Sequence, residues 1–321
     1  MRGLSAAPIR PAWRPIACGD TADSRLAMCR GHIREGGIVK GEFMTTQTET
    51  NIRNSINAII SDMMDRIMNK VLIEDPFLPE KHHAAKPLYA ALVPDEIFKG
   101  AHFERRFVTP FGNTWEKLAM VVAHEYHGGC EHGKTIHGLI SEERLHRINE
   151  ILIQLEHKSG QKIKRKPNWN EELDYILKGK GKLLPIDVTC DIVVHNLKEN
   201  KSYAFEIKAP LPNSDQTKVS KEKMFKLLAM EPRLVDNAYY ALPYNPYGKK
   251  EDYAWSFPKR WFNMTEDPTV LIGDEFWNML GGKGAYDIFI DEINKLGVYY
   301  RDRIYREFLC IEPPESNKYS L

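Results

Sequence analysis

The chain has 321 residues, and its 45 Lys and Arg against 44 Asp and Glu leave a net charge of +1. That balance excludes a basic protein that coats nucleic acid indiscriminately, so any nucleic-acid contact must come from local clusters. No apolar run approaches the roughly 20 residues of a membrane span, which argues against a membrane partner, and five scattered cysteines, an odd number, read as reduced thiols of a cytosolic protein.

Residues 1–43 mix Arg, Pro, Gly, Ala and Cys without a sustained period and end just before Met44. They are expected to form a disordered arm or an upstream-start extension. The rest, 44–321, is expected to form a single domain, with a helical part over 44–182 and a catalytic and recognition part over 183–321. Within 51–71, Ile52, Ile56, Ile59, Ile60, Met63, Ile67 and Val71 recur at helical spacing. A short helix is expected near 86–92. A further helix over 112–126 would start at the cap-like Asn113 or Thr114 and carry Glu116 in its first turn, where the helix dipole favours a carboxylate. Glu116 is therefore either a helix-end charge or an extra acid leaning toward a site.

His124, His127, Cys130 and His132 invite a zinc reading, but structural zinc sites show tighter paired spacing. A polar helix end stopped by Gly128 and Gly129 is the favoured account of them. Another helix is expected over 141–156, with Ser141 as N-cap. Basic residues follow: Lys158, Lys162, Lys164, Arg165 and Lys166, then Lys178, Lys180 and Lys182. They are either a solvated face or a surface for backbone phosphates.

The stretch 183–210 organises the chain. Two β-rich runs, 188–195 and 202–209, flank a polar turn over 196–201, which is a hairpin signal. With the turn centred near Lys198 and Glu199, Asp191 lies across from Glu206, where two like charges repel. Lys208 stands two residues beyond Glu206 and shares its face. Two carboxylates and a lysine so placed suit Mg²⁺-dependent phosphodiester hydrolysis, with Asp191, Glu206 and the Ile207 carbonyl as metal ligands. The Pro185-Ile186-Asp187 run offers Asp187 as a rival first acid. An edge hairpin with solvated charges would explain the same residues without chemistry.

Beyond a Pro-rich turn, a helix is expected over 219–230. Asn213, Gln216, Lys218, Lys221 and Lys223 lie before or within it, and such residue types contact phosphates or base edges. Arg233, Lys249 and Arg260 complete the DNA-binding candidates. A strand over 237–242, an apolar run over 269–272 and a last helix over 286–296 finish an α/β pattern with helical additions.

Five blocks, FGNTWEKLA at 111–119, Asp191 with Glu206-Ile207-Lys208, APLPNSDQTKVSKEKM at 209–224, ALPYNPYG at 241–248 and EFWNMLGG at 275–282, together resemble type II restriction endonucleases. The nearest group is the TdeIII family, whose members cut GGNCC-like palindromes. The resemblance covers most of 44–297. It implies a PD-(D/E)XK restriction-endonuclease-like core, a mixed β-sheet flanked by helices with helical N-terminal additions. It also implies a bacterial homodimer that cuts both strands of DNA with Mg²⁺ and leaves 5′-phosphate ends, alongside a cognate DNA methyltransferase. Carried onto this sequence, Asp191 and Glu206 would be metal ligands, Lys208 the water-positioning lysine and Glu116 an additional helix carboxylate. A structure-selective nuclease of recombination or repair, and a DNA-binding protein that does not cut, remain the competing readings.

Overall fold

The computed structural model describes residues 44–156 and 165–314. The arm expected over 1–43 and the basic residues Lys158, Lys162 and Lys164 lie outside the described residues. Helix α1 (Thr46–Asn69) is capped by the Thr45 hydroxyl and runs on as a π-helical turn over Lys70–Glu74. Its Ile52, Ile56, Ile60 and Ile67 are all buried, as their spacing requires. Two short helices follow, α2 (Pro79–Ala85) and α3 (Pro87–Ala90), each opened by a proline at its first position, where the missing N–H costs nothing. Helix α4 (Asp95–His127) then runs for 33 residues with Pro110 inside it, so its start lies well before the expected Asn113. Gly128, in the left-handed conformation, terminates it.

The segment expected to be helical throughout instead carries two strands. β1 (Gly128–His132) and β2 (Thr135–Ser141) occupy the polar stretch that the sequence suggested was a helix end. Helix α5 (Glu142–Leu155) begins on the Ser141 cap as expected, and α6 (Trp169–Leu177) on Asn168. β3 (Leu183–Thr189) pairs antiparallel with β2 in a separate two-stranded sheet. Val188 therefore belongs to that sheet and not to the hairpin. The hairpin is β4 (Ile192–Asn196) and β5 (Lys201–Ile207). Next come α7 (Ser214–Leu228), β6 (Asn237–Leu242), β7 (Val270–Ile272), α8 (Asp274–Gly281) and α9 (Ala285–Arg303).

The main sheet has the order β1-β4-β5-β6-β7. β1, β4 and β5 pair antiparallel, whereas β5, β6 and β7 run parallel. A mixed five-stranded sheet of this kind, flanked by helices and preceded by helical additions, is compatible with a restriction-endonuclease-like core. The central strands are apolar on both faces, because each face has its own core. Ile192, Val194, Phe205 and Ile207 face a core built with α1, α4, α8 and α9. Val193, Ala204, Tyr240 and Leu242 face a second core built with α5, α6 and α7. Period-2 alternation along β5 thus puts Glu206 on the α7 side, between neighbours committed to the other face. Among the described residues, no helix is long and apolar enough to cross a membrane.

Candidate active site

The β4–β5 register pairs Ile192 with Phe205, so continuing it by one residue sets Asp191 opposite Glu206. Asp191 immediately precedes β4, at the point where the chain leaves the small sheet. Its backbone is held there by the turn after β1: Gly133 N–H donates to the Asp191 carbonyl at 2.9 Å, and Cys190 N–H to the Lys134 carbonyl at 2.9 Å. The Asp191 Oδ2 atom accepts from the Ile207 N–H at 2.7 Å and from Lys208 Nζ at 2.8 Å. Lys208 continues the parallel pairing through its N–H, which donates to the Ala241 carbonyl at 3.0 Å.

Three oxygens converge on one cation. Lys208 Nζ lies 2.8 Å from Asp191 Oδ2, 3.0 Å from the Ile207 carbonyl and 3.4 Å from Glu206 Oε2. Glu206 is 2 % exposed. Burial and the neighbouring Asp191 charge push its carboxyl upward, while the Lys208 and Lys223 ammoniums oppose that rise. Burial alone would disfavour the Lys208 ammonium, but the Glu206 and Asp191 charges outweigh it, and its net shift is upward. Lys208 is therefore held as a cation among the acids.

Helix α7 supplies the other wall. Its Asn213 cap accepts from the Gln216 N–H at 2.8 Å, so the helix starts earlier than the expected 219 and turns Gln216, Ser220 and Lys223 onto one face. Ser220 Oγ donates to Glu206 Oε2 at 3.3 Å, and Lys223 Nζ to Glu206 Oε1 at 2.8 Å. Together with Asp215, Val219 and Lys208 these residues line a cleft open to solvent beside Glu206.

The rival first acid is elsewhere. Asp187 sits on β3, exposed, with its Oδ1 2.7 Å from His137 Nδ1 across the small sheet. Glu116 is held by His132, Oε2 to Nε2 at 2.7 Å, against the end of β1. The zinc alternative finds no support: His127 is buried with Nε2 2.9 Å from the Met279 carbonyl, His132 is taken by Glu116, and burial pushes the Cys130 thiol up to about 12. Among the described residues no three His, Cys, Asp or Glu side chains group as a metal site. The site at the hairpin offers two carboxylates and a backbone carbonyl instead.

With this geometry in view, comparison with known proteins decides the family. Residues 52–297 match the type II restriction endonuclease family HinfI, which is most of the chain. The chain belongs to that family. Among similar proteins, type II restriction enzyme HgiCII of Herpetosiphon aurantiacus is 26% identical over 227 residues, 70% of this chain and 82% of its own length. HgiEI and HgiBI, type II restriction enzymes of the same organism, are 24% and 23% identical over 262 residues, 78% of this chain and 93% of theirs. The HinfI-family match agrees with the resemblance to type II restriction endonucleases and does not bear on the finer TdeIII grouping. A HinfI-family endonuclease cleaves DNA at specific sites, so the chain is an enzyme whose substrate is DNA.

The DNA-binding candidates of this HinfI-family chain divide. Asn213 and Gln216 are exposed at the start of α7, and Arg260 reaches the same helix end, its Nη1 3.5 Å from Ser214 Oγ. Lys218 pairs with Glu156 at 2.6 Å and lies over the Trp261 ring. Arg233 is exposed and donates to the Val235 and Asp236 carbonyls; Lys249 is exposed in a turn. Lys221 is a correction. It is fully buried, bonded to the Trp261 carbonyl and 2.6 Å from an equally buried Glu172, so it cannot reach a phosphate. Lys223 also differs from expectation, since its ammonium is bound to Glu206. Residue type alone does not separate these lysines; two residues apart on one helix, they point to nearly opposite sides, one into the core and the other to the cleft.

Proposed function

We propose that the protein is a Mg²⁺-dependent type II deoxyribonuclease that makes double-strand cuts at a short GGNCC-like palindrome, leaving 5′-phosphate ends. It would work as a homodimer in the bacterial cytoplasm, since a two-fold dimer reads a palindrome with one half-site per subunit. A cognate DNA methyltransferase would protect the same sites without touching the enzyme. The GGNCC-like site rests on the resemblance of the sequence blocks to enzymes that cut such sequences.

The observation that carries the reading is the convergence of Asp191 Oδ2, Glu206 Oε2 and the Ile207 carbonyl on a single cation, the Lys208 ammonium. Hard oxygen donors with carboxylate charge suit Mg²⁺, an ion that would keep water and a phosphate oxygen among its ligands. Asp191, Glu206 and Ile207 would hold the ion, which supplies Lewis-acid polarisation of the phosphate and a bound water of lowered pKa. The Ile207 N–H fixes the Asp191 carboxylate in place, and the Ser220 hydroxyl donates to that of Glu206. Lys208 orients the attacking water and stabilises the negative charge that develops on the phosphoryl oxygens. Attack in line releases the 3′-hydroxyl strand and leaves the phosphate on the 5′ end. Glu116, tied to His132, contributes negative charge at the end of β1.

Digestion of unmethylated phage DNA with Mg²⁺ and with EDTA tests the proposal. Discrete fragments with Mg²⁺ alone, lost in Asp191→Asn and in Glu206→Gln, are expected, and sequencing their ends gives the site and the cut. A smear would replace it with a structure-selective nuclease, and DNA binding without cutting would replace it with a binding protein.

A further inference from the structure

The second lysine of the site has no assigned part in the reaction. Lys223 comes from α7, not from the hairpin, and its Nζ contacts Glu206 Oε1 at 2.8 Å. Lys208 contacts the other oxygen of the same carboxylate, Oε2, at 3.4 Å. The two lysines thus divide Glu206 between them. Lys208 sits among the oxygens proposed as metal ligands, Asp191 Oδ2 and the Ile207 carbonyl with Glu206 Oε2. Lys223 touches the one oxygen of Glu206 that faces away from that set.

We propose that Lys223 is a positioning residue for Glu206: it clamps Oε1 so that Oε2 stays turned toward Asp191 and the Ile207 carbonyl, and it keeps that contact when a divalent ion occupies the site. This rests on the reading of Asp191 and Glu206 as metal ligands. A carboxylate on a strand retains rotation about its last side-chain torsion, which is broad and roughly two-fold. Ser220, at 3.3 Å from Oε2, is a weak restraint on it. The Lys223 contact, a charge-assisted hydrogen bond, is the strong one. Partners that orient metal ligands in this way typically matter 10–100-fold in metal affinity or activity. Helix phase makes the clamp possible, because Gln216, Ser220 and Lys223 repeat at spacings of four and three and share the face that lines the cleft.

The two lysines therefore have opposite signatures toward a metal. Lys208 competes for the metal's own oxygens, and Lys208→Met should tighten binding of Mn²⁺ to the DNA-free protein. Lys223 orients a ligand without occupying the metal position, and Lys223→Met should weaken Mn²⁺ binding by about tenfold or more, with Lys223→Arg recovering most of it. Titration calorimetry of the full chain with MnCl₂ reads all three, and thermal melting confirms that each variant is folded. Cleavage by Lys223→Met should fall in parallel and recover in Lys223→Arg. Unchanged or tighter Mn²⁺ binding in Lys223→Met overturns the clamp, because a mere counter-charge would relieve repulsion when removed. Glu206→Gln run alongside separates the two claims: if it binds Mn²⁺ and cleaves like the wild type, the ligand reading itself fails. If it loses both while Lys223→Met keeps both, only the clamp fails.

Discussion

Replacing Lys221 by methionine removes a charge from the interior while keeping nearly the same volume. Lys221 and Glu172 are both fully buried, with Nζ and Oε2 2.6 Å apart. At that separation and an effective dielectric near 20, their attraction is about 6 kcal/mol. Desolvation of two ions cancels much of it, so the intact pair adds little net stability. Breaking the pair is different, because Glu172 would stay buried with Arg165 at 3.6 Å and the Asn168 N–H at 3.3 Å left to answer its charge. Burial already pushes the Glu172 carboxyl upward against the pull of Lys221, and burial pushes the Lys221 ammonium downward. Lys221→Met should therefore cost about 3–5 kcal/mol, and Glu172→Leu a similar amount. The double variant Lys221→Met/Glu172→Leu should recover most of either loss, giving a strongly non-additive cycle. Urea unfolding followed by tryptophan fluorescence is a suitable assay, since Lys221 lies over the Trp169 ring and bonds the Trp261 carbonyl. Single-variant losses below about 1 kcal/mol, or additive losses in the double variant, would refute the reasoning. So would a salt dependence of DNA binding reduced by roughly one phosphate in Lys221→Met, since a buried lysine neutralises none.

Two further outcomes follow from the packing around the same sheet. Burial, against the pull of the Met279 carbonyl, lowers the His127 imidazole below its usual 6.5. The unfolded chain then takes up this proton first, so the contribution of His127 to stability is fully present above about 6.5 and is lost as pH falls through the folded value. His127→Asn should flatten the acid side of a stability–pH curve, and an unchanged slope would show that His127 is not the group responsible. At Gly281, an added Cβ would lie 2.6 Å from Val122 Cγ1 and 2.7 Å from Ala285 Cβ. Gly281→Ala should therefore cost about 1–3 kcal/mol by forcing α8 away from α4, and an unchanged melting temperature would contradict that close approach.

Much of the site was legible because strand register is arithmetic. A turn centred near Lys198 and Glu199 fixes Asp191 opposite Glu206, and the observed pairing of Ile192 with Phe205 is the same register. β6 and the start of α5 were equally readable, one from its apolar run and the other from the Ser141 cap. What escaped had competing local signals. Pro110 concealed that α4 begins at Asp95, because proline in a helix interior is normally a stop. The glycines and histidines of 128–137 hid β1 and β2, whose pairing partners β4 and β3 lie roughly forty to seventy residues away. Pro210 and Pro212 make the approach to α7 read as loop, so the helix expected from 219 begins earlier, at Ser214. Lys221 and Lys223, two residues apart, stand on nearly opposite sides of α7, one facing Glu172 in the core and the other Glu206 in the cleft. Nothing near Lys221 in the sequence announces a partner 49 residues upstream.

The alternation along β5 also bears on how such an enzyme can diverge. Phe205 and Ile207 are rooted in one core, and Glu206 between them points to the opposite face. Any insertion or deletion of a single residue in this strand would exchange the faces and drag two large apolar side chains into the cleft. Lineages can therefore not relocate the acid by small slips; they can only keep it or replace it in place. The exposed turns around Tyr244 and Lys249 carry no such obligation. New target sequences should accumulate there first, while the strand that carries the proposed acid should tolerate little change.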